Sequence, residues 1–218
     1  MEFTLLTSTP SSAIHLMYYV QTKKLKIKNV VVVRKEGMQY DVLEQYSEIN
    51  NFAIDYVDDP NGTQCETVLS KLKPKVLILM ISTILEDKVL KIPEMVINTH
   101  SGILPKYRGV DSHRWAILDG GSVGVSVHYV DSGVDTGPVL KTNELPIRSG
   151  DTISSIAERN YYTNKWQTLT ETLIELDHGN TDPQVQCSDD GKQYFWMHVK
   201  LRDIVDDILE KKAHPDLK

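Results

Sequence analysis

A chain of 218 residues, 40% hydrophobic and 25% charged, is the size of one ordinary domain, or one domain with a small appendage, and can bury a real core. Its net charge of −6, with no basic stripe, argues against a broad nucleic-acid-binding face. Two cysteines far apart, Cys65 and Cys187, make neither a disulfide framework nor a zinc spacing; with no signal-peptide layout and no apolar run near membrane length, the chain reads as cytoplasmic, without membrane or metal.

Phe3-Thr4-Leu5-Leu6 reads as a first buried strand. Pro10-Ser11-Ser12 starts a helix, with Ser11 or Ser12 as N-cap and Ile14, Leu16, Met17, Tyr18 and Val20 as its apolar face. Lys23-Lys24-Leu25-Lys26-Ile27-Lys28 reads as a solvated helix end. Asn29 to Arg34 is a continuous β-branched run, expected of a strand covered on both faces. A short helix from Asp41 to Asn50, a strand from Ala53 to Val57 and a helix from Thr63 to Leu72 follow, ended by Pro74. Lys75 to Ile81 is the next central strand, Leu85 to Leu90 a short helix broken by Pro93, and Met95 to Asn98 another strand. A Gly/Pro-marked loop, a helix opened by His113 and Trp115, and the alternating strand Val123–Val130 come next. Val139–Thr142 and Leu145–Ile147 read as a bent outer strand pair. Asp151-Thr152 caps one long helix through Leu176, and Val199 to Lys212 reads as an amphipathic helix with Leu201, Ile204, Val205, Ile208 and Leu209 on one face. Strands separated by helices indicate an α/β fold: an open, mostly parallel, Rossmann-like sheet with helices on both faces. We divide it into residues 1–178, a catalytic domain, and 179–218, a C-terminal extension that packs on it or makes an oligomer contact, as in a homodimer. The aromatic cluster Tyr194-Phe195-Trp196 is assigned to the core ahead of such a contact.

Chemistry concentrates between Val96 and Leu140. Asn98 and His100 stand two residues apart at a strand's end, so extended backbone sends both to one side. The next strand runs into Asp131-Ser132-Gly133-Val134-Asp135-Thr136-Gly137, a turn with two carboxylates. An amide, an imidazole and a carboxylate at strand carboxyl ends are a kit for moving protons at a carbonyl, placed where open α/β sheets bind ligands. Alone, each has a plainer reading: a packed histidine, an Asx-turn, a turn aspartate.

Asn98-Thr99-His100, the Ser101–Gly109 stretch with its Leu-Pro-x-x-Arg-Gly pattern, and Asp131-x-Gly133-x-Asp135-Thr136-Gly137 together resemble the folate-dependent formyltransferases. That family includes glycinamide ribonucleotide transformylase, methionyl-tRNA formyltransferase and sugar N-formyltransferases. The resemblance implies N10-formyltetrahydrofolate as co-substrate and a small-molecule amine as acceptor, with Asn98, His100 and Asp135 as the catalytic trio. It places the pterin between Ile81-Ser82-Thr83-Ile84-Leu85 and the segment holding Val130, Asp131 and Val134. Ser82 and Thr83 depart from the bulky or basic residues frequent there. Ser101, Gly102, Ile103, Lys106, Tyr107 and Arg108 would surround the acceptor, Lys106 and Arg108 either meeting a diphosphate or remaining solvated charges.

The family members separate by what is missing. No glycine follows the first strand in Leu6-Thr7-Ser8-Thr9-Pro10-Ser11-Ser12, which disfavours dinucleotide binding and a glycinamide ribonucleotide-type phosphate loop. A tRNA substrate implies a longer, more basic chain. A nucleotide-linked amino sugar is left by elimination as the expected acceptor. The alternatives are a glycinamide ribonucleotide-type transformylase and a formyltetrahydrofolate hydrolase using the same trio with water.

Overall fold

The computed structural model describes residues 1–213. In chain order the elements are β1 (Glu2–Thr7), α1 (Pro10–Gln21), β2 (Lys26–Val33), α2 (Asp41–Asn50), β3 (Ala53–Val57), α3 (Thr63–Leu72), β4 (Val76–Met80), α4 (Asp87–Leu90) and β5 (Met95–His100). Then follow β6 (Tyr107–Gly109), α5 (Ser112–Leu118), β7 (Val123–Tyr129), β8 (Val139–Leu145), α6 (Ile153–Arg159), a π turn (Asn160–Lys165), α7 (Trp166–His178), a 3-10 turn (Ser188–Asp190), β9 (Lys192–Tyr194) and α8 (Val199–Ala213).

The main sheet has the order β3-β2-β1-β4-β5-β7-β8, parallel from β3 through β5 and antiparallel at β7–β8. The α/β reading of the sequence therefore holds. Val76 to Met80 is buried at every position, as expected of a strand covered on both faces. Strand order reverses at β1/β4, where the Ser8 amide donates to the Met80 carbonyl at 3.2 Å.

The chain forms two compact units, one of Met1–Asn98, Tyr129–Ser132 and Leu173–Asn180, the other of Thr99–His128, Gly133–Thr172 and the chain from Thr181 onward. In the first, Leu6, Val31, Val57, Cys65, Leu69, Leu77 and Val89 share one buried cluster. In the second, the cluster draws Tyr107 from β6, Ala116 and Ile117 from α5, Ile153 and Ile156 from α6, and Val205 and Leu209 from α8. Fully burying such aliphatic side chains is worth about 1.5–3 kcal/mol apiece. A two-stranded sheet pairs β6 with β9, Gly109 opposite Tyr194. The last five residues of the expected 179–218 extension lie outside the described residues.

Several boundaries differ from the sequence reading, each for a local reason. Thr9, not Ser11 or Ser12, is the N-cap of α1, because Pro10 at the first helical turn has no N–H to lose. Tyr18 is 66% exposed, and small Ser12 and Ala13 face inward in its place. The lysine run is no helix end: α1 stops at Gln21, and Lys26 already opens β2, with Leu25 and Ile27 buried between solvated lysines. Burial of alternate residues, not charge, decides that stretch. The short helix narrows to Asp87–Leu90. Val139–Leu145 is one continuous strand, and Pro146, with no N–H for the ladder, stops it. The long helix from Thr152 is interrupted by the π turn. Phe195 and Trp196 are 69% and 74% exposed, so only Tyr194 of that trio packs inward, beside Trp115 with ring centroids 5.0 Å apart. In α8, Ile204 is exposed although Val205 and Leu209 are buried.

Candidate active site

β5 carries Asn98 and then His100, two residues apart in extended backbone. His100 is buried in the second unit with both ring nitrogens engaged. Nε2 lies 2.6 Å from the Tyr107 carbonyl and 3.1 Å from Ser112 Oγ, and Nδ1 lies 3.2 Å from Asp135 Oδ2. A carbonyl only accepts, so Nε2 carries a hydrogen and the neutral ring turns its Nδ1 lone pair toward the carboxylate. Burial lowers the pKa of His100, against the upward pulls of Asp135 and the Tyr107 carbonyl.

Asp135 stands at φ +54°, a left-handed conformation that Asp adopts more readily than most residues. Oδ2 accepts the Gly109 N–H at 2.9 Å, and Oδ1 faces His128 Nε2 at 3.4 Å. Burial pushes its carboxyl up, but the His128 hydrogen bond, the attraction of the neighbouring His100 ring when it is protonated and the Gly109 N–H outweigh burial and hold its pKa below the ordinary value. The resting pair is thus a carboxylate beside a neutral imidazole. One added proton finds two acceptors 3.2 Å apart, which suits a general base.

One face of β7 holds the loop that follows His100. Ser126 Oγ donates to the Gly102 carbonyl at 2.7 Å and accepts the Leu104 N–H at 2.9 Å; His128, two residues on, meets Asp135. A register shift between Val127 and His128, the bulge that often re-aims side chains beside active sites, lies at that point. A Cβ on Gly102 would come within 2.7 Å of His100 Nε2, so only glycine lets the loop lie against the ring.

The expected acceptor residues divide. Ser101 and Lys106 are exposed. Ile103 packs against the apolar cluster of the second unit. The Tyr107 ring is 1% exposed and belongs to the core, so its contribution to the site is its carbonyl. Arg108 is half-buried and donates from Nη2 to the Gly191 carbonyl at 3.0 Å.

Of the expected pterin-binding residues, Leu85, Ile81 and Val130 share one apolar cluster in the first unit. Ser82, Thr83 and Asp131 are exposed, and Ile84 is 65% exposed. Asn61 pins this segment, its amide donating to the Ile84 carbonyl and accepting the Glu86 N–H. Ile81 directly follows β4, on the β1/β4 reversal of strand order. Apolar side chains below and exposed backbone above fit a flat heterocycle with polar edges. Val134 is half-buried in the second unit.

His128, Ser112, the Gly109 N–H and the Tyr107 carbonyl are absent from the sequence reading. The available signal was Ser126 and His128 interrupting an apolar strand on a single face. Lys165, at the end of the π turn, is also new: its Nζ sits 5.1 Å from the Tyr161 ring and 5.5 Å from that of Trp166. Burial brings its pKa down to about 8, and its charge further disfavours the protonated form of His100. Among the described residues, no group of three or more His, Cys, Asp or Glu could hold a metal ion, and no helix is long and apolar enough to cross a membrane.

A mostly parallel α/β sheet with a His–Asp pair where β5 ends has the chemistry to accept a proton from a group bound there. The family model for formyl transferase matches residues 4–173, and the chain belongs to that family. It is 29% identical over 179 residues to the bifunctional polymyxin resistance protein ArnA of Wigglesworthia glossinidia brevipalpis, covering 80% of this chain and 25% of that protein. It is 33% identical over 121 residues to methionyl-tRNA formyltransferase of Pelobacter propionicus, covering 54% of this chain and 38% of that protein. The chain thus spans only about a quarter to two fifths of the curated relatives it matches. Among solved structures, a sugar N-formyltransferase from a Shewanella species superposes with a TM-score of 0.70 at 15% identity, covering 100% of this chain and 90% of that one. Phosphoribosylglycinamide formyltransferase of Anaplasma phagocytophilum gives 0.70 at 18% identity, covering 89% and 99%. At such identities these two likenesses speak to the fold.

Proposed function

We propose that this chain transfers a formyl group from N10-formyltetrahydrofolate to the primary amine of a small molecule, a nucleotide-linked amino sugar. The observation that carries the reading is the His100–Asp135 pair at 3.2 Å, largely shielded from solvent, ionised on one side only and placed where β5 ends. When bound, the folate supplies the formyl carbon, whose bond to N10 breaks as the bond to the acceptor nitrogen forms. Asn98 donates its amide N–H to the formyl oxygen, a role worth roughly 3 kcal/mol in comparable sites. The His100–Asp135 pair takes the proton released by the attacking amine and returns it toward the leaving nitrogen, the carboxylate stabilising the imidazolium in between. Ile81 to Leu85, with Val130, Asp131 and Val134, hold the pterin. Ser101, Gly102 and Ile103 shape the acceptor side, and exposed Lys106 meets a diphosphate. Tyr107 acts through its carbonyl, and Arg108 braces the loop through Gly191.

One observation favours a sugar acceptor over glycinamide ribonucleotide. Where β1 ends, Thr7 Oγ1 is taken up by the Thr9 backbone and Thr9 Oγ1 by Ser12 Oγ at 2.7 Å, and no glycine frees backbone amides for phosphate there. The test is incubation with N10-formyltetrahydrofolate and a panel of nucleotide-linked amino sugars, following the N-formyl product by mass spectrometry. His100→Ala or Asp135→Ala should lower turnover at least about a hundredfold in folded protein. Formate release without an amine would favour the hydrolase reading instead.

A further inference from the structure

The chain between Gln184 and Tyr194 returns to both loops that carry the His100–Asp135 pair. At one end, Gln184 exchanges backbone hydrogen bonds with Val139 at 2.8 Å, and Gln186 Nε2 donates to the carbonyls of Asp135, at 3.0 Å, and Gly137, at 2.6 Å. At the other end, β9 pairs with β6, and the Val110 N–H donates to the Tyr194 carbonyl at 3.2 Å. Gly109, which gives its N–H to Asp135 Oδ2, has φ +90° and lies so close to β9 that any Cβ would overlap the Tyr194 carbonyl. A single segment thus grips donor and acceptor of one hydrogen bond from two sides.

Gln186 has the chemistry for one part of this. An amide NH2 offers two hydrogens, and the two carbonyls take one each. Its Oε1 is buried without a partner, a desolvation cost that an apolar side chain would avoid. The donors, not the volume, explain an amide at this position. They tie the Asp135-Thr136-Gly137 turn, whose first residue is held at a positive φ.

We propose that Gln186 is a positioning residue for Asp135, fixing the turn so that the carboxylate faces His100, His128 and the Gly109 N–H together. The role in catalysis rests on the formyl-transfer reading; the role in geometry does not. The test is Gln186→Leu in the full chain, read two ways. In hydrogen exchange, the Gly109 amide should lose protection at least about tenfold, while the Val110 and Lys192 amides, bonded to Tyr194 and Lys106, keep theirs. In steady-state kinetics, kcat should fall about ten- to a hundredfold with KM for folate and amine within about twofold, as expected when geometry is lost without binding. Unchanged Gly109 exchange in the folded variant would overturn the proposal. So would joint loosening of Gly109, Val110 and Lys192, which marks an ordinary structural residue. Should Gln186→Leu fail to fold, Gln186→Met is read by the same exchange pattern. Absence of formyl transfer in the unaltered protein would sink the functional reading and leave the exchange result to decide Gln186.

Discussion

Both oxygens of Asp135 are occupied, one by the Gly109 N–H and His100, the other by His128, and that occupancy sets how the pair titrates. The His128 hydrogen bond is the strongest influence holding the carboxyl down. His128→Leu should therefore raise the pKa of Asp135, and the acid limb of the kcat–pH profile should move to higher pH. An unmoved acid limb would show that Asp135 is not the group titrating there. The nearness of His100 and Asp135 was readable because each lies in a motif with turn residues around it. His128 was not, since a histidine inside an alternating strand looks like any other buried polar residue until the fold sets it opposite a carboxylate. Tyr107 misled for the converse reason: a loop tyrosine was assigned to the acceptor by its side chain, whereas its ring fills the core and its backbone oxygen does the work.

At the level of elements, the π turn is the largest departure from what periodicity predicts. Asn160 and Asn164 both turn inward, donating to the carbonyls of Gly124 on β7 and Asn143 on β8 at 3.0 Å. One wider turn lets both asparagines reach strand carbonyls, and hydrophobic spacing records nothing of such bonds. The same turn ends in Lys165, held among aromatic rings with its pKa near 8. An ordinary lysine keeps its proton to about 10.4, so the unfolded chain binds the extra proton between about 8 and 10.4 and folded stability rises with pH across that window. Below pH 8 the penalty is complete. Lys165→Met should accordingly stabilise the protein by about 1–3 kcal/mol at pH 7, with part of the gain offset by lost cation–π contact, and the gain should vanish above about pH 10.5. Urea denaturation at pH 7 and pH 10.5 checks this; equal effects at both would refute it. Gly109→Ala is the opposite case: a Cβ at φ +90° overlapping a backbone carbonyl should cost about 2–4 kcal/mol and abolish the β6–β9 pairing.

Across the whole molecule, the parallel sheet was legible because β1, β2 and β4 are apolar runs separated by helical stretches, whereas the small β6–β9 sheet was not, since three-residue strands leave no pattern. The charges distribute unevenly too. Among the described residues, the carboxylates held below their ordinary pKa, Asp135 and Asp151, both belong to the second unit. Arg159 holds Asp151 well below the usual range, with further hydrogen bonds from the Arg148 N–H at 2.7 Å and the Ser155 hydroxyl at 3.0 Å. A carboxyl with a depressed folded pKa adds stability that is complete above the unfolded value of about 3.9 and is lost as pH falls through the folded value. The contribution of these two carboxylates should therefore be flat above about pH 5 and decline below it, with hydrogen-exchange protection in α6 and β8 lost before that in β1 and β4. Asp151→Asn should cost about 1–2 kcal/mol at pH 7 and progressively less as pH falls below about 4, where the unfolded carboxyl takes up a proton that Arg159 keeps the native one from binding. Parallel denaturation curves for the two proteins at pH 7, 4 and 2 give the comparison. A gap that stays constant down to pH 2 would mean that the ion pair with Arg159 contributes nothing and that the cost lies in packing alone.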